Sequence, residues 1–172
     1  MKDFLALAKD RYSVRKFSDR PVEDEKIGRI IEAGICAPTA CNYQPFKIWV
    51  LKSPEAVAAF NETTAYGFGA KVVFVIGGDD GKAWKRAKYD NRHFVDVDAS
   101  IAATQMMLEI HDLGLGTTWV GSFDQEKLKR FLPQMEGYEL IAAFPTGYPA
   151  EDAVPSRNHG IRRTAEEASE IL

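Results

Sequence analysis

Hydrophobic and polar positions along this chain change period several times, and each change marks an element. Ile27, Ile30, Ile31 and Ile35 recur at helical spacing behind the acidic run Glu23-Asp24-Glu25. Acidic side chains suit the positive end of a helix, and proline is at home in its first turn. The spacing therefore predicts a helix that opens at Pro21 and stops at or before Ala37, because Pro38 disfavours helical backbone in the residue ahead of it. A shorter helix is expected from about Lys2 to Lys9. Phe46 to Leu51 alternates and reads as a strand. Ser53-Pro54-Glu55 is a helix start, with serine as cap and proline in the first turn; Val57, Ala58 and Phe60 continue it. Lys71 to Gly77 is a continuous apolar run, the pattern of a buried central strand. Polar, turn-rich sequence follows from Gly78 to Tyr89.

Asp98 to Leu113 carries apolar or small residues on most faces, so it predicts a helix buried nearly all round, with Gly114 as its stop. In a chain of 172 residues, burial on every side points to a second subunit as cover. Asp96 and Asp98 read as caps and dipole partners of this helix. Thr117 to Val120 is expected as a third strand and Asp124 as the cap of a helix from Gln125 to Phe131. Glu139 to Phe144 is expected as a fourth strand, closed by Pro145 and Gly147. Residues 148–172 hold few core-forming side chains. Helices and strands thus alternate, which by itself suggests parallel βαβ units.

Composition narrows the function classes. One domain over residues 1–172 is expected from the length. A net charge of −3 gives no reason to propose nucleic acid or an acidic membrane as partner. No apolar run is long enough to span a bilayer and no signal-peptide core is present, so a soluble, cytoplasmic protein is the default expectation. Cys36 and Cys41 fit neither a redox pair nor a zinc site, and His93, His111 and His159 show no metal-binding spacing. No metal is therefore expected. There is no dinucleotide fingerprint, no phosphate loop and no nucleophile–base arrangement.

Two segments carry candidate chemistry. Arg11-Tyr12-Ser13-Val14-Arg15-Lys16-Phe17 places two guanidiniums and a hydroxyl on alternate residues, which share one face of an extended chain. Such a face suits an anion, because arginine offers fixed, charge-assisted donors. Ala37-Pro38-Thr39-Ala40-Cys41-Asn42-Tyr43-Gln44-Pro45-Phe46 is a helix exit with small polar residues before a strand, a loop that can approach a flat ligand. Gln44 and Pro45 read as fixing that loop.

Together with Gly114-Leu115-Gly116-Thr117-Thr118-Trp119-Val120-Gly121-Ser122-Phe123-Asp124, these segments resemble the nitroreductase family of flavin enzymes, over nearly the whole chain. The resemblance implies an α+β fold: an α-β-α sandwich with a mostly antiparallel central sheet flanked by helices. It further implies an intertwined homodimer with FMN at the subunit interface and residues 148–172 wrapping the partner subunit. By resemblance, Arg11 and Ser13 hold the flavin phosphate and Arg15 faces the pyrimidine edge near N1 and O2. Pro38, Thr39 and Asn42 reach the partner's cofactor, and backbone N–H groups of Gly121 and Ser122 point at N5 and O4. Arg162 closes over the phosphate. A second basic position of the family falls on Gly160 here, which leaves Arg157, His159 or Arg163 to supply it; Asn61 is a further candidate for the pyrimidine edge.

The implied activity is NAD(P)H-driven, two-electron, ping-pong reduction of nitroaromatic, quinone or similar small acceptors. No side chain is assigned as catalytic, because the hydride chemistry belongs to flavin N5. Residues 78–93 are a candidate lid, and Tyr66, Phe68, Trp84, Tyr89 and Phe94 are candidate aromatic walls or packing residues. A non-catalytic flavin store or sensor on the same fold is the alternative.

Overall fold

A computed structural model describes residues 3–172; the expected helix start at Lys2 lies outside them. The central layer is a four-stranded sheet of β1 (Phe46–Leu51), β2 (Val72–Gly78), β3 (Gly116–Thr117) and β4 (Glu139–Gly147), in the order β1-β2-β4-β3. Every pairing is antiparallel. The alternating order of elements therefore hides no parallel crossover, and the resemblance rather than the simple βαβ reading gives the strand directions.

One face of the sheet is covered by α2 (Asp24–Ile35) and α4 (Val95–Asp112), the other by α3 (Pro54–Asn61) and α5 (Gln125–Phe131). The pleat of β2 explains both layers. Val72, Phe74 and Ile76 pack with Ile30, Ala102 and Met106, whereas Val73 and Val75 pack with Phe60 and Leu128. All seven residues of β2 are buried, as its unbroken apolar run requires. In β4 the alternation is broken once. Ile76 pairs with Ala142 but Gly77 pairs with Leu140, so one extra residue puts Leu140 and Ala143 on the same face.

Capping chemistry sets several boundaries. Ser53 Oγ accepts from Ala56 N at the start of α3, and Asp124 Oδ1 accepts from Lys127 N at the start of α5, both as expected. Gly114 ends α4 with φ of +73°. Other boundaries differ from the sequence expectation. α2 begins at Asp24 rather than Pro21, and Glu23 stands at its cap position without a side-chain cap bond. Its carboxylate is taken instead by Tyr148 Oη at 2.7 Å and Arg20 at 2.9 Å.

α4 begins at Val95, so Asp96 and Asp98 lie inside its first turn instead of capping it. β3 is only two residues long; Val120 returns to the sheet as an isolated bridge to Ala143. β4 runs on through Pro145 to Gly147. Proline is tolerated there because its side of the strand faces β3, whose ladder ends at Thr117; the Thr117 hydroxyl donates to Pro145 O at 2.8 Å. A short helix, α6 (Ala165–Ala168), closes the chain on a capping box between Thr164 and Glu167. α1 (Phe4–Asp10) leaves Phe4 and Leu5 exposed.

The Glu23 cluster gives a pH dependence. Hydrogen bonds from Tyr148, from its own backbone and from Arg20 lower the Glu23 pKa from 4.5 to about 2. A folded-state value below the unfolded one stabilises the fold above pH 4.5, and this contribution is lost as pH falls through about 2. Thermal unfolding followed from pH 6 to pH 2 should show a shallower acid slope for Glu23→Gln than for the parent chain. Equal slopes would remove this cluster from the acid response.

Candidate cofactor site

Residues 11–18 lie extended along the sheet margin, which brings their alternate side chains to one place. Val14 N donates to Thr117 O at 2.9 Å and Ser18 N to Tyr148 O at 2.9 Å. Ser13 bridges Thr117, and Phe17 bridges Pro149. Val14 is buried, which turns Ser13 and Arg15 outward. This docking needs a bare backbone at Gly116, where a Cβ would stand 2.4 Å from Val14 Cγ2.

A cleft of about 210 Å³ opens between this segment and the tail, lined by Arg11, Ser13, Arg15, Asn158, His159 and Arg162. Arg11 is half-buried, and burial followed by the charge of Arg162 lowers its pKa. Three arginines, Arg11, Arg15 and Arg162, thus border one cavity. Among the described residues, no carboxylate forms an ion pair with Arg11, Arg15 or Arg162. Arg162 is aimed by its own tail, donating to His159 O at 2.5 Å and Ile161 O at 2.8 Å. Uncompensated, mutually repelling cations around a cavity are the electrostatic form of an anion site. Of the residues considered for the second basic position, His159 lines this cleft and packs edge-on against the Tyr12 ring at 6.1 Å; Arg157 and Arg163 are not among its walls.

Arg15 also borders a second cleft, of about 270 Å³, with Tyr66, Phe68, Trp119, Gly121 and Ser122. Its rear wall is the segment that leaves β3. Trp119 is held edge-on against Phe144 at 5.2 Å, and Val120 is fixed to Ala143 by paired backbone bonds of 2.9 Å. The loop after α3 supplies the other wall: Thr64 Oγ1 donates to Ser122 O at 2.7 Å and Asp124 N to Thr63 O at 3.0 Å. Among the described residues beyond its chain neighbours, a Cβ at Gly121 would meet only Trp119 Nε1, at 4.0 Å. That open space leaves room for a flat ligand to lie against the backbone.

The structure thus gathers Arg11, Ser13, Arg15 and Arg162 round one cleft and Arg15, Gly121 and Ser122 round its neighbour. Pro38, Thr39 and Asn42 line neither. Asn61 is also absent from both; its side chain packs on Gly67. Among the aromatic candidates, Tyr66 and Phe68 reach the second cleft. Trp84 and Phe94 pack edge-to-face at 4.9 Å within the 79–94 segment, and Tyr89 is 83% exposed. Thr118, Asn158 and Ser156 also line the clefts, although nothing in their sequence spacing distinguishes them from ordinary loop residues.

Comparison with known proteins decides the family. The nitroreductase family model matches residues 8–65 and 63–148. The chain belongs to the nitroreductase family. A protein of Methanothermobacter thermautotrophicus, provisionally named an NADH dehydrogenase/NAD(P)H nitroreductase, is 32% identical over 156 residues, covering 87% of this chain and 79% of that protein. A solved nitroreductase family protein from Clostridium difficile 630 superposes with a TM-score of 0.90 at 29% identity, covering 98% of both chains. A Staphylococcus epidermidis protein provisionally described as an NAD(P)H:FMN oxidoreductase shares the fold, with a TM-score of 0.84 at 23% identity over 100% of this chain and 97% of that one. Membership places the chain among oxidoreductases on the nitroreductase α+β fold. No helix among the described residues is long and apolar enough to cross a membrane.

Proposed function

We propose that this nitroreductase family chain is an FMN-dependent, NAD(P)H-driven oxidoreductase that works as a homodimer. The observation that carries the reading is the pair of adjoining clefts hinged on Arg15, one cationic and one walled by aromatic rings and open backbone. A flavin mononucleotide has the same two-part chemistry, a phosphate at one end and a planar ring at the other. When bound, FMN would supply the relay of one hydride's two electrons from nicotinamide to an oxidised acceptor.

The chain's own residues do the rest. Arg11, Ser13 and Arg162 hold the phosphate, with His159 as the remaining polar wall. Arg15 stands between phosphate and ring, where a guanidinium favours negative charge on the reduced pyrimidine edge. Gly121 and Ser122 offer main-chain donors without a proton-transferring side chain. Trp119, Tyr66 and Phe68 exclude water from one side of the ring and leave an exposed face for nicotinamide or a flat acceptor such as a nitroaromatic or quinone. The second copy enters through the loop at Pro38, Thr39 and Asn42. These residues line neither of the two clefts, so on this reading they serve the cofactor of the partner, and residues 148–172 embrace that partner.

Purified protein should be yellow and should release FMN on heating. Under anaerobic conditions NADH or NADPH should bleach the bound flavin, and a quinone should restore the colour. Absence of bound flavin at micromolar FMN would overturn the proposal. Bound flavin that neither nucleotide reduces would replace it with the flavin store or sensor.

A further inference from the structure

Asp98 is a carboxylate that the cofactor clefts do not use. It lies in the first turn of α4, 1% exposed, among the small and apolar residues of the α2–α4 layer. Oδ1 accepts from Ala40 N at 2.9 Å, while Oδ2 is buried with no hydrogen-bond partner among the described residues. Burying a half-satisfied carboxylate is costly, even at the favourable N-terminal end of a helix. What it holds is unusual as well. Cys41, Asn42 and Gln44 all have left-handed backbone, with φ of 52°, 57° and 49°, a conformation that non-glycine residues keep only when their surroundings impose it.

The other hydrogen bonds of residues 39–44 are internal. Asn42 N donates to Thr39 O at 3.0 Å, Gln44 N to Thr39 Oγ1 at 3.1 Å and Gln44 Nε2 to Asn42 Oδ1 at 3.1 Å. Among the described residues, Ala40 N to Asp98 is the one hydrogen bond that ties this turn to the helical layer. The internal bonds occupy one acceptor site on Thr39 Oγ1 and one on Asn42 Oδ1, and use neither the Thr39 hydroxyl proton nor the Asn42 amide hydrogens, which are available to donate outward.

We infer that Asp98 is a positioning residue: it locks the strained 39–44 turn so that Thr39 and Asn42 present donors to an acceptor-rich ring held by a second copy. This rests on the proposed function for the identity of the ring, but not for the locking itself. Two arms of one experiment separate the parts. In flavin-free protein, amide hydrogen exchange of residues 41–44 should rise about tenfold or more in Asp98→Ala. It should return to within about threefold of the parent rate in Asp98→Asn, which keeps the acceptor for Ala40 N.

Ala40→Pro removes the donor and leaves the carboxylate. Proline suits the first position of a helical turn and the extended Thr39 before it, with φ of −132°. It should loosen residues 41–44 as Asp98→Ala does. In the binding arm, Asp98→Ala should weaken riboflavin and FMN by the same factor, about tenfold, because the turn faces the ring and not the phosphate. Unchanged exchange in both Asp98→Ala and Ala40→Pro, or an Asp98→Asn protein as loose as Asp98→Ala, would overturn the positioning role. A parent protein that binds no flavin would sink the functional reading, while the exchange arm still decides whether Asp98 locks the turn.

Discussion

Replacing Arg11 with alanine is expected to raise the FMN dissociation constant about ten- to a hundredfold, since a hydrogen bond to a charged group is worth about 1.5–3 kcal/mol. The same substitution should leave the thermal stability of the flavin-free protein unchanged or slightly increased. The opposite signs follow from the electrostatics. Arg11 is half-buried, and both burial and the Arg162 charge disfavour its protonated form. The apo protein therefore tolerates Arg11 rather than gaining from it, and on the proposed function a bound phosphate would relieve the repulsion. Riboflavin, which has no phosphate, should bind Arg11→Ala and the parent protein alike. Isothermal titration with both ligands, beside a melting curve of each apo protein, reads all three expectations. An FMN affinity that does not move, or a loss shared equally by riboflavin, would take Arg11 away from the phosphate.

Gly116→Ala should act at a distance on the same cleft. The new Cβ would lie 2.4 Å from Cγ2, 2.6 Å from Cβ and 2.9 Å from Cγ1 of Val14. A buried, β-branched side chain has no spare rotamer to give way, so residues 13–15 must lift from β3. Overpacking of this kind costs about 1–3 kcal/mol of stability. Lifting the strand also breaks the Val14 N to Thr117 O bond and moves Ser13 and Arg15 together, so FMN affinity should fall with stability. Removing the obstruction in Val14→Gly/Gly116→Ala, which takes away the Val14 Cβ at 2.6 Å as well as its two methyls, should recover part of the binding. Urea unfolding and flavin-fluorescence titration of the single and double variants test this. A Gly116→Ala protein as stable and as tightly loaded as the parent would show that the 11–15 segment does not depend on this contact.

Much of the architecture is legible in the chain because local rules coincide with tertiary packing. The caps at Ser53 and Asp124, the stop at Gly114 and the run Val72 to Gly78 each depend on short-range chemistry that burial then reinforces. The misplaced boundaries arise where distant residues intervene. Glu23 fails to cap α2 because Tyr148, 125 residues away in sequence, takes its carboxylate. β4 passes Pro145 because the neighbouring ladder has already ended, which no local pattern reveals. The capping box of α6 is written plainly as Thr164-Ala165-Glu166-Glu167, but the polar tail around it conceals the signal. At the site, the alternation Arg11, Ser13, Arg15 carries directly into one cleft. Asp98 could not be found this way. An aspartate in a helix's first turn reads as a dipole partner, and only the fold shows it buried beneath a strained turn.

The central claim is that Arg11 and Arg162 together receive the phosphate of a flavin mononucleotide. A crystal structure grown with saturating FMN tests it most directly. The phosphate is expected between the two guanidiniums, with Ser13 Oγ in hydrogen-bond reach and the ring lying along Gly121 and Ser122. A cleft left empty under those conditions, or a flavin bound with its phosphate elsewhere, would contradict the account.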